Sequence, residues 1–482
     1  MPIDNHIIVN ATKWSAIAEV LAKLITPITS MVLARLLTPD AFGVVATITM
    51  IISFAEIFTD AGFQKYVIQH EFVNDDDRDE STNVAFWSNL ALAFILWGII
   101  AIFNEPLAEL VGNPGLGHAI TIASVSLPLQ AFSSIQMANY KRDLDFKTLF
   151  KVRITGVLVP LVVTIPLAFI MHSYWALVIG TIAVNLVNAF VLTIYSTWRP
   201  KWYYSWVKLH EMLSFTIWSI IESVSIWLTN YIDIFIVGIA LSQYYLGLYK
   251  TSMTTVAQIT TLITAATTPV LFSSLSRLQD NRQEFEQLFF RFQKLVGIMI
   301  IPLGVGIYVF RNFITLVLLG SQWMDAADFI GLWGLTSAVT IVLAHYSSEV
   351  YRALGKPRLS VLAQVLHIVV LWPVVKIGVQ YGFDTLCFAR AMVRMELVLV
   401  QLLITYFVVK LSPIDMIKNV FPEIIASTLM GGVGLALLSF DTSVIWTIFS
   451  IFICVIIYFA IILAFKRDRH VIVAFIKNLW NR

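Results

Sequence analysis

Cysteine is nearly absent from this chain of 482 residues, which contains only Cys387 and Cys454. Both lie in apolar runs, so neither a disulfide frame nor a thiolate metal cluster is expected. Charge is scarce as well. Asp, Glu, Lys and Arg make up 13% of the chain, against about 25% in an ordinary soluble protein. Long polar stretches are missing, the longest being residues 70–80, so no segment could form a separate soluble domain. There is no Gly-rich phosphate loop ending in Gly-Lys-Ser or Gly-Lys-Thr, no Gly-x-Gly-x-x-Gly after a strand, and no His-Glu-x-x-His. These absences exclude a pump carrying its own ATP-driven motor, and they leave no expectation of a cofactor, a metal, an enzymatic activity or a nucleic-acid partner. Residues 1–13 are polar and lead straight into a long apolar run without a cleavage site, so the first helix is expected to be retained.

What the chain has instead is hydrophobicity in regular doses. Its composition is 58% hydrophobic, with a mean hydropathy of +0.81. Apolar runs of about 20 residues, the length that crosses roughly 30 Å of hydrocarbon as a helix, recur from end to end. Reading them between turn signals gives fourteen spans: 12–37, 42–66, 83–103, 117–138, 148–171, 175–197, 211–238, 245–272, 290–312, 328–351, 359–379, 385–410, 420–439 and 444–465. Prolines at 160, 166, 302 and 373 fall within spans, where membrane helices accept them as kinks. The fold class expected is an all-α polytopic membrane protein.

Orientation follows from the short loops, since Lys and Arg concentrate on the cytoplasmic side. With the N-terminus inside, twenty-four of the 32 Lys and Arg residues fall on inside segments, and Arg311 and Lys376 fall outside. The other six lie within spans or near their ends. Both termini are therefore expected to be cytoplasmic. The acidic run Asn74-Asp75-Asp76-Asp77-Arg78-Asp79-Glu80 does not contradict this, because acids weigh little in the rule, and it reads as a solvated loop.

The chain also echoes itself with a period near 204. Leu37-Thr38-Pro39-Asp40-Ala41-Phe42-Gly43, between spans one and two, matches Leu241-Ser242-Gln243-Tyr244-Tyr245-Leu246-Gly247, between spans seven and eight, at Leu37/Leu241, Thr38/Ser242 and Gly43/Gly247. Tyr140-Lys141-Arg142 and Tyr351-Arg352 form a second echo. Six spans per repeat is an even number, so the two halves run parallel, as in many transporters with a site at the repeat interface. The organisation expected is an N-terminal lobe at 1–205, a C-terminal lobe at 206–410, and spans thirteen and fourteen with a tail at 411–482. The link Trp198–Lys208 mixes aromatics with cations, which suits a segment lying in the headgroup layer.

Ionisable residues inside spans cost a few kcal/mol each on insertion scales, about 2.5–3.5, and so mark protein-lined or watery interiors. Span one carries Glu19 and Lys23, a pair at i,i+4, and span two carries Glu56 and Asp60, a like-charged pair at the same spacing. Span seven carries Glu222 and Asp233, eleven residues apart and therefore on one face. His345 and Glu349 lie in span ten. Arg390 and Arg394 lie one turn apart in span twelve, with Glu396 turned away. Two cations cannot neutralise each other, so Arg390 and Arg394 are the leading candidates to hold an anion. Lys23, Arg35 and Lys250 are the further candidates, since a cavity lined by such cations would attract phosphate or carboxylate. Glu56, Asp60, Glu222 and Asp233 are the candidates for ion coupling, because a carboxylate in a low-dielectric site can trade protons.

The residues also carry a family resemblance. Leu33-Ala34-Arg35-Leu36-Leu37-Thr38-Pro39-Asp40-Ala41-Phe42-Gly43 is similar to the LLxPxxFG signature of bacterial polysaccharide exporters. Phe54, Asp60-Ala61-Gly62-Phe63 and Val67-Ile68-Gln69 fit the same family's second-span pattern, and Tyr351-Arg352-Ala353-Leu354-Gly355-Lys356-Pro357 looks like its Arg-Ala-x-Gly-Lys-Pro turn. The whole chain resembles the Wzx-type flippases of the multidrug/oligosaccharidyl-lipid/polysaccharide exporter superfamily. That resemblance implies a two-lobed fold, alternating access and residence in the bacterial inner membrane. It implies a substrate of undecaprenyl-pyrophosphate-linked oligosaccharide for surface polysaccharide (O-antigen, lipopolysaccharide or exopolysaccharide) and a cationic site for the pyrophosphate. Spans thirteen and fourteen would form a groove for the lipid tail, and a polysaccharide polymerase and a chain-length regulator would be partners. The rival readings are a drug or metabolite antiporter of the same superfamily, against which the two extra spans count, and a polysaccharide polymerase or glycosyltransferase, which would need a larger catalytic outer loop.

Overall fold

The structure is a computed structural model that describes residues 5–465 and 468–469 apart from 61, 197 and 357; the side chains of 5–12, 16, 60, 214–219 and 221–222 are not described either. Among the described residues there are helices and no strands. Thirteen helices among the described residues are long and apolar enough to cross a membrane. They are α1 (Lys13–Leu36), α2 (Pro39–Thr59), α3 (Asp75–Ile102), α5 (Phe146–Met171), α6 (Trp175–Tyr195), α7 (Ser223–Ala240), α8 (Gln243–Ser276), α9 (Arg282–Val309), α10 (Ser321–Ala353), α11 (Arg358–Tyr381), α12 (Phe383–Val409), α13 (Phe421–Leu438) and α14 (Val444–Ala464).

The fourth expected span differs from the rest. It is broken into Gly117–Ala123 and α4 (Ser126–Arg142) by a turn at Ser124 and Val125. Pro128 explains the place of the break. It sits in the first turn of α4, where its missing N–H leaves no helical bond unmade. The chain therefore still passes fourteen times, thirteen times as an unbroken apolar helix.

The acidic run is not a solvated loop. Asp75, Asp76 and Asp77 form the first turn of α3, and the Asn74 side chain caps it by accepting from the Asp77 N–H at 2.7 Å. Carboxylates at a helix N-terminus are stabilised by the unsatisfied N–H groups and the helix dipole. These acids also hold the interhelical link. Lys208 pairs with Asp77 and Glu80, and Lys201 pairs with Asp79 at 3.2 Å. Burial opposes the charge on Lys208, but hydrogen bonds to Asp77 and Glu80 prevail and raise its pKa above the ordinary lysine value.

The chain forms two compact units, Met1–Lys250 and Thr251–Arg482. The core of the first includes Val44, Ile48, Ile120, Leu127 and Val178, with a second cluster around Phe63, Phe86 and Met212. The core of the second is built on Phe285, Phe289, Val296, Tyr346 and Tyr351. Large apolar side chains stand outside these cores, such as Val162, Ile170, Ile445 and Phe452, as expected of a surface solvated by lipid.

The echo in the sequence has a physical basis inside the first unit. A Cβ on Gly43 would lie 1.9 Å from the Gln243 carbonyl oxygen, and a Cβ on Gly247 would lie 1.9 Å from the Pro39 carbonyl oxygen. The first turns of α2 and α8 thus cross reciprocally, each glycine admitting the other helix's backbone. Small residues serve this purpose where membrane helices approach closely. Thr47, one turn further along α2, faces the Gln243 side chain at 3.5 Å.

Topology can be checked by single-cysteine labelling from outside. Position 322 is exposed in the segment expected outside, and position 281 is exposed in a segment expected inside. Modification at Gln322→Cys with protection at Asn281→Cys is the expected result, and labelling of Asn281→Cys would overturn the orientation. Asn113 is a poor reporter despite its outside position. It is 7% exposed and donates to the Val111 carbonyl at 2.8 Å and to the Thr47 hydroxyl at 3.4 Å.

Candidate transport site

Of the candidate charges in the first unit, Lys23 is held in an ion pair. Glu19 holds Lys23 at 3.3 Å, and Arg153 of α5 approaches the same carboxylate at 3.9 Å. Lys23 is thus a neutralised cation. Arg35 is exposed and Glu56 half-buried. The side chains of Asp60 and Glu222 lie outside those described. Asp233 is 1% exposed and accepts from the Tyr249 hydroxyl at 2.9 Å. Lys250, next to Tyr249, lies over the Tyr231 ring at 5.3 Å. The α7–α8 hairpin therefore brings one proposed coupling acid, buried, close to one proposed substrate cation, half-buried.

Arg390 and Arg394 meet in the second unit, as their spacing requires. Both guanidiniums lie against the indole of Trp333 from α10, at 4.8 Å and 4.1 Å from the ring centroid. Arg394 also donates to the Ser337 hydroxyl at 2.6 Å, one turn beyond Trp333. Arg390 is 7% exposed. A cation over a desolvated indole gains about 2 kcal/mol or more, which offsets part of the cost of taking a guanidinium out of water. The indole itself adds no negative charge to the pair.

Glu396 is not turned away from polar company. Its Oε2 lies 2.8 Å from Nδ1 of His367 on α11. Both residues stand out in the sequence as ionisable groups inside apolar spans, but their meeting depends on how α11 packs on α12. His345 lies 3.3 Å from the Thr268 hydroxyl, and Glu349 pairs with Arg352 rather than with His345.

A second charge cluster has no counterpart in the sequence pattern. Lys294 of α9 is 2% exposed and bonds Glu423 at 3.5 Å, Asp468 after α14, and the Asn419 carbonyl at 3.0 Å. Pattern counts Lys294 with the inside cations because it stands at the start of an apolar run. Burial arises only when α13 and the segment after α14 close over it.

The same unit contains an apolar groove of about 420 Å³. Its walls include Ile298, Pro302 and Gly306 of α9, Met430 of α13, and Cys454 and Phe459 of α14. Pro302 removes the N–H that would bond the Ile298 carbonyl, four residues earlier. Tyr458 of α14 supplies the missing donor, its hydroxyl reaching that carbonyl at 2.9 Å. Helix α13 sits close because Gly431 and Gly434 face Val305 and Val309. The hydrogen bond that Pro302 removes from α9 and the docking of α14 are thus linked through Tyr458, and the groove lies beside them.

Fourteen helical passes with charges held inside them define a polytopic transporter fold. The chain is similar in fold to the lipid II flippase MurJ in its inward closed conformation, with a TM-score of 0.76 and 15% identity over 94% of this chain and 98% of that one. It also resembles an inward-facing multidrug resistance MATE family transporter of the MOP superfamily, at a TM-score of 0.60 and 13% identity over 79% and 93% of the two chains.

The chain belongs to the polysaccharide biosynthesis protein family, whose model matches residues 32–328. Among its relatives are an uncharacterized membrane protein in the cps region of Klebsiella pneumoniae, 21% identical over 76% of this chain and 75% of that one. The succinoglycan biosynthesis transport protein ExoT of Rhizobium meliloti is 22% identical over 68% of this chain, and the lipopolysaccharide biosynthesis protein WzxC of Escherichia coli is 22% identical over 65%. The match spans 65% of ExoT and 64% of WzxC. The resemblance to Wzx-type exporters is borne out.

Proposed function

We propose that this protein moves an undecaprenyl-pyrophosphate-linked oligosaccharide from the inner to the outer leaflet of the bacterial inner membrane, for surface polysaccharide assembly. The observation that carries the proposal is the pairing, within one unit, of two arginines against Trp333 with a predominantly apolar groove between α9, α13 and α14. The substrate has the same two chemistries, an anionic diphosphate and a polyprenyl tail. Arginine suits the diphosphate because its guanidinium offers bidentate, permanently charged donors. Transport proceeds by alternating access, with lobes built on α1–α6 and α7–α12 rocking against each other. No nucleotide-hydrolysing motif is present, so uphill work comes from an ion gradient or from downstream polymerisation, where a polymerase and a chain-length regulator act. Asp233, buried on α7, is the first of the acids to test for coupling, followed by Glu56, Asp60 and Glu222.

Full-length protein in proteoliposomes should move a labelled lipid-linked oligosaccharide between leaflets, as read by accessibility of the label to an external reagent. Absence of leaflet exchange would overturn the proposal, and exchange indifferent to imposed proton and sodium gradients would leave the acids a structural role. The groove has its own test. A Cβ on Gly306 meets nothing within 4 Å, and Gly306 lines the groove, so Gly306→Phe should fill it while the fold survives. Displacing even two tail methylenes costs about 1.6 kcal/mol, or roughly tenfold in apparent affinity. Unchanged affinity for the lipid-linked substrate in Gly306→Phe would remove the tail from this groove.

A further inference from the structure

A polar pocket of about 430 Å³ lies in the first unit, where the start of α3, the end of α4 and the link after α6 come together. Its charges nearly cancel in pairs. Arg78 binds Asp143 at 2.8 Å, and Lys201 binds Asp79 at 3.2 Å. Asp75 and Arg199 also line the pocket, and among the described residues neither has an ion-pair partner. The Arg199 guanidinium donates to the Thr193 carbonyl, and its charge, like that of Asp75, is left to a ligand.

Among the buried polar atoms in the same walls, two repeat that complementarity. Asn139 is 9% exposed, and its Oδ1 has no hydrogen-bond partner among the described residues. The indole Nε1–H of Trp198 is likewise buried without an acceptor. An orphaned buried acceptor and an orphaned buried donor each carry a desolvation cost that a ligand would relieve. With Asp75 in the same walls, the orphaned acceptor calls for an N–H cation, and the donor of Trp198, next in sequence to Arg199, calls for an anionic oxygen. The position of the pocket narrows the source. Trp202 stacks on Trp87 at 4.3 Å yet is 90% exposed, and Trp206 is 76% exposed. Tryptophans so placed mark the level of the lipid headgroups. The link itself is fixed there, for the Asn83 side chain accepts from the Lys201 N–H at 2.7 Å and Trp87 donates to the Lys201 carbonyl at 2.8 Å.

We propose that this pocket binds the zwitterionic headgroup of an ethanolamine phospholipid, with the ammonium held by Asp75 and Asn139 and the phosphate by Arg199 and Trp198. The lipid would act as a structural ligand, separate from the transported substrate, fastening the link between the two repeats to the membrane surface. A choline headgroup has no N–H to donate, and a glycerol headgroup has no cation, so both should bind more weakly.

The test is lipid retention by the full-length protein in phosphatidylcholine nanodiscs doped with phosphatidylethanolamine or phosphatidylglycerol, read by native mass spectrometry. Phosphatidylethanolamine should be retained roughly fivefold or more over either alternative, the factor set by one buried polar atom left unpaired. Asn139→Leu, Trp198→Phe and Arg199→Gln should each bring retention towards parity. Arg199→Gln is the safe variant for folding, because Arg199 is exposed. Equal retention of phosphatidylcholine would overturn the role of the ammonium donor. Equal retention of phosphatidylglycerol would reduce the pocket to a phosphate site and overturn the zwitterion. Displacement of the lipid by an equal concentration of soluble phosphoethanolamine would assign the pocket to a soluble ligand instead. Preference for phosphatidylethanolamine that survives all three substitutions would place the lipid elsewhere.

Discussion

Gly43→Ala is expected to be among the most damaging single-methyl additions in this protein, and Gly247→Ala should match it. In each case the added Cβ would fall 1.9 Å from a carbonyl oxygen of the other helix. No side-chain rotation relieves a collision with backbone, so the first turns of α2 and α8 must separate. Overpacking of this kind costs about 3 kcal/mol at its upper range. The Thr47–Gln243 contact beside the crossing would be lost with it. Melting of the purified protein in detergent measures the effect directly. Gly432→Ala is the control, since a Cβ there meets nothing within 4 Å. A Gly43→Ala protein as stable as Gly432→Ala would show that the crossing does not exist. Export should fall with stability, because the crossing joins the first repeat to the start of the second.

The second large effect concerns Arg390 and Arg394. Replacing both with alanine is expected to abolish export while leaving the protein in the membrane at normal abundance. Each guanidinium is held against Trp333, and removing a charge from an apolar span relieves an insertion cost of about 2.5–3.5 kcal/mol per residue. Insertion should therefore not suffer. Replacement by lysine is the sharper probe. Lysine keeps the charge but loses the planar group that stacks on indole and grips a diphosphate with two donors. Arg390→Lys with Arg394→Lys should recover only a small part of transport. Export by the double alanine variant at the wild-type rate would remove both residues from the mechanism, and full recovery by lysine would reduce their role to bulk charge. Trp333→Leu should weaken transport for the same reason, since the arginines would lose the surface that orients them.

Much of this architecture is written in the amino-acid sequence in a form that simple physics can read. Apolar runs of membrane length announce membrane helices because the hydrocarbon core admits little else. The i,i+4 spacing of Arg390 and Arg394, and of Glu19 and Lys23, places each pair on one helix face by periodicity alone. The Leu-Thr-Pro-Asp-Ala-Phe-Gly echo locates a special turn. What the echo does not disclose is that its two copies touch. Reciprocity between Gly43 and Gly247 exists only because α2 and α8 cross at that point.

Local pattern fails where the outcome depends on neighbours. The acids at 75–80 look like a loop because they are polar, and they become the start of α3 because Asn74 caps them and Lys201 and Lys208 come back across the link to meet them. Lys294 looks peripheral and is buried, since Glu423 and Asp468 approach it from more than a hundred residues away. His367 and Glu396 lie in different spans and are joined by the packing of α11 on α12. The sequence by itself determined the membrane habitat, the number of passes and the identity of the paired arginines, because hydrophobic length and helical periodicity are local quantities. Tertiary structure alone decided which charge answers which, which carbonyl freed by a proline finds a new donor in Tyr458, and where a groove remains open. Those outcomes depend on contacts between residues far apart in the chain, and no local spacing encodes them.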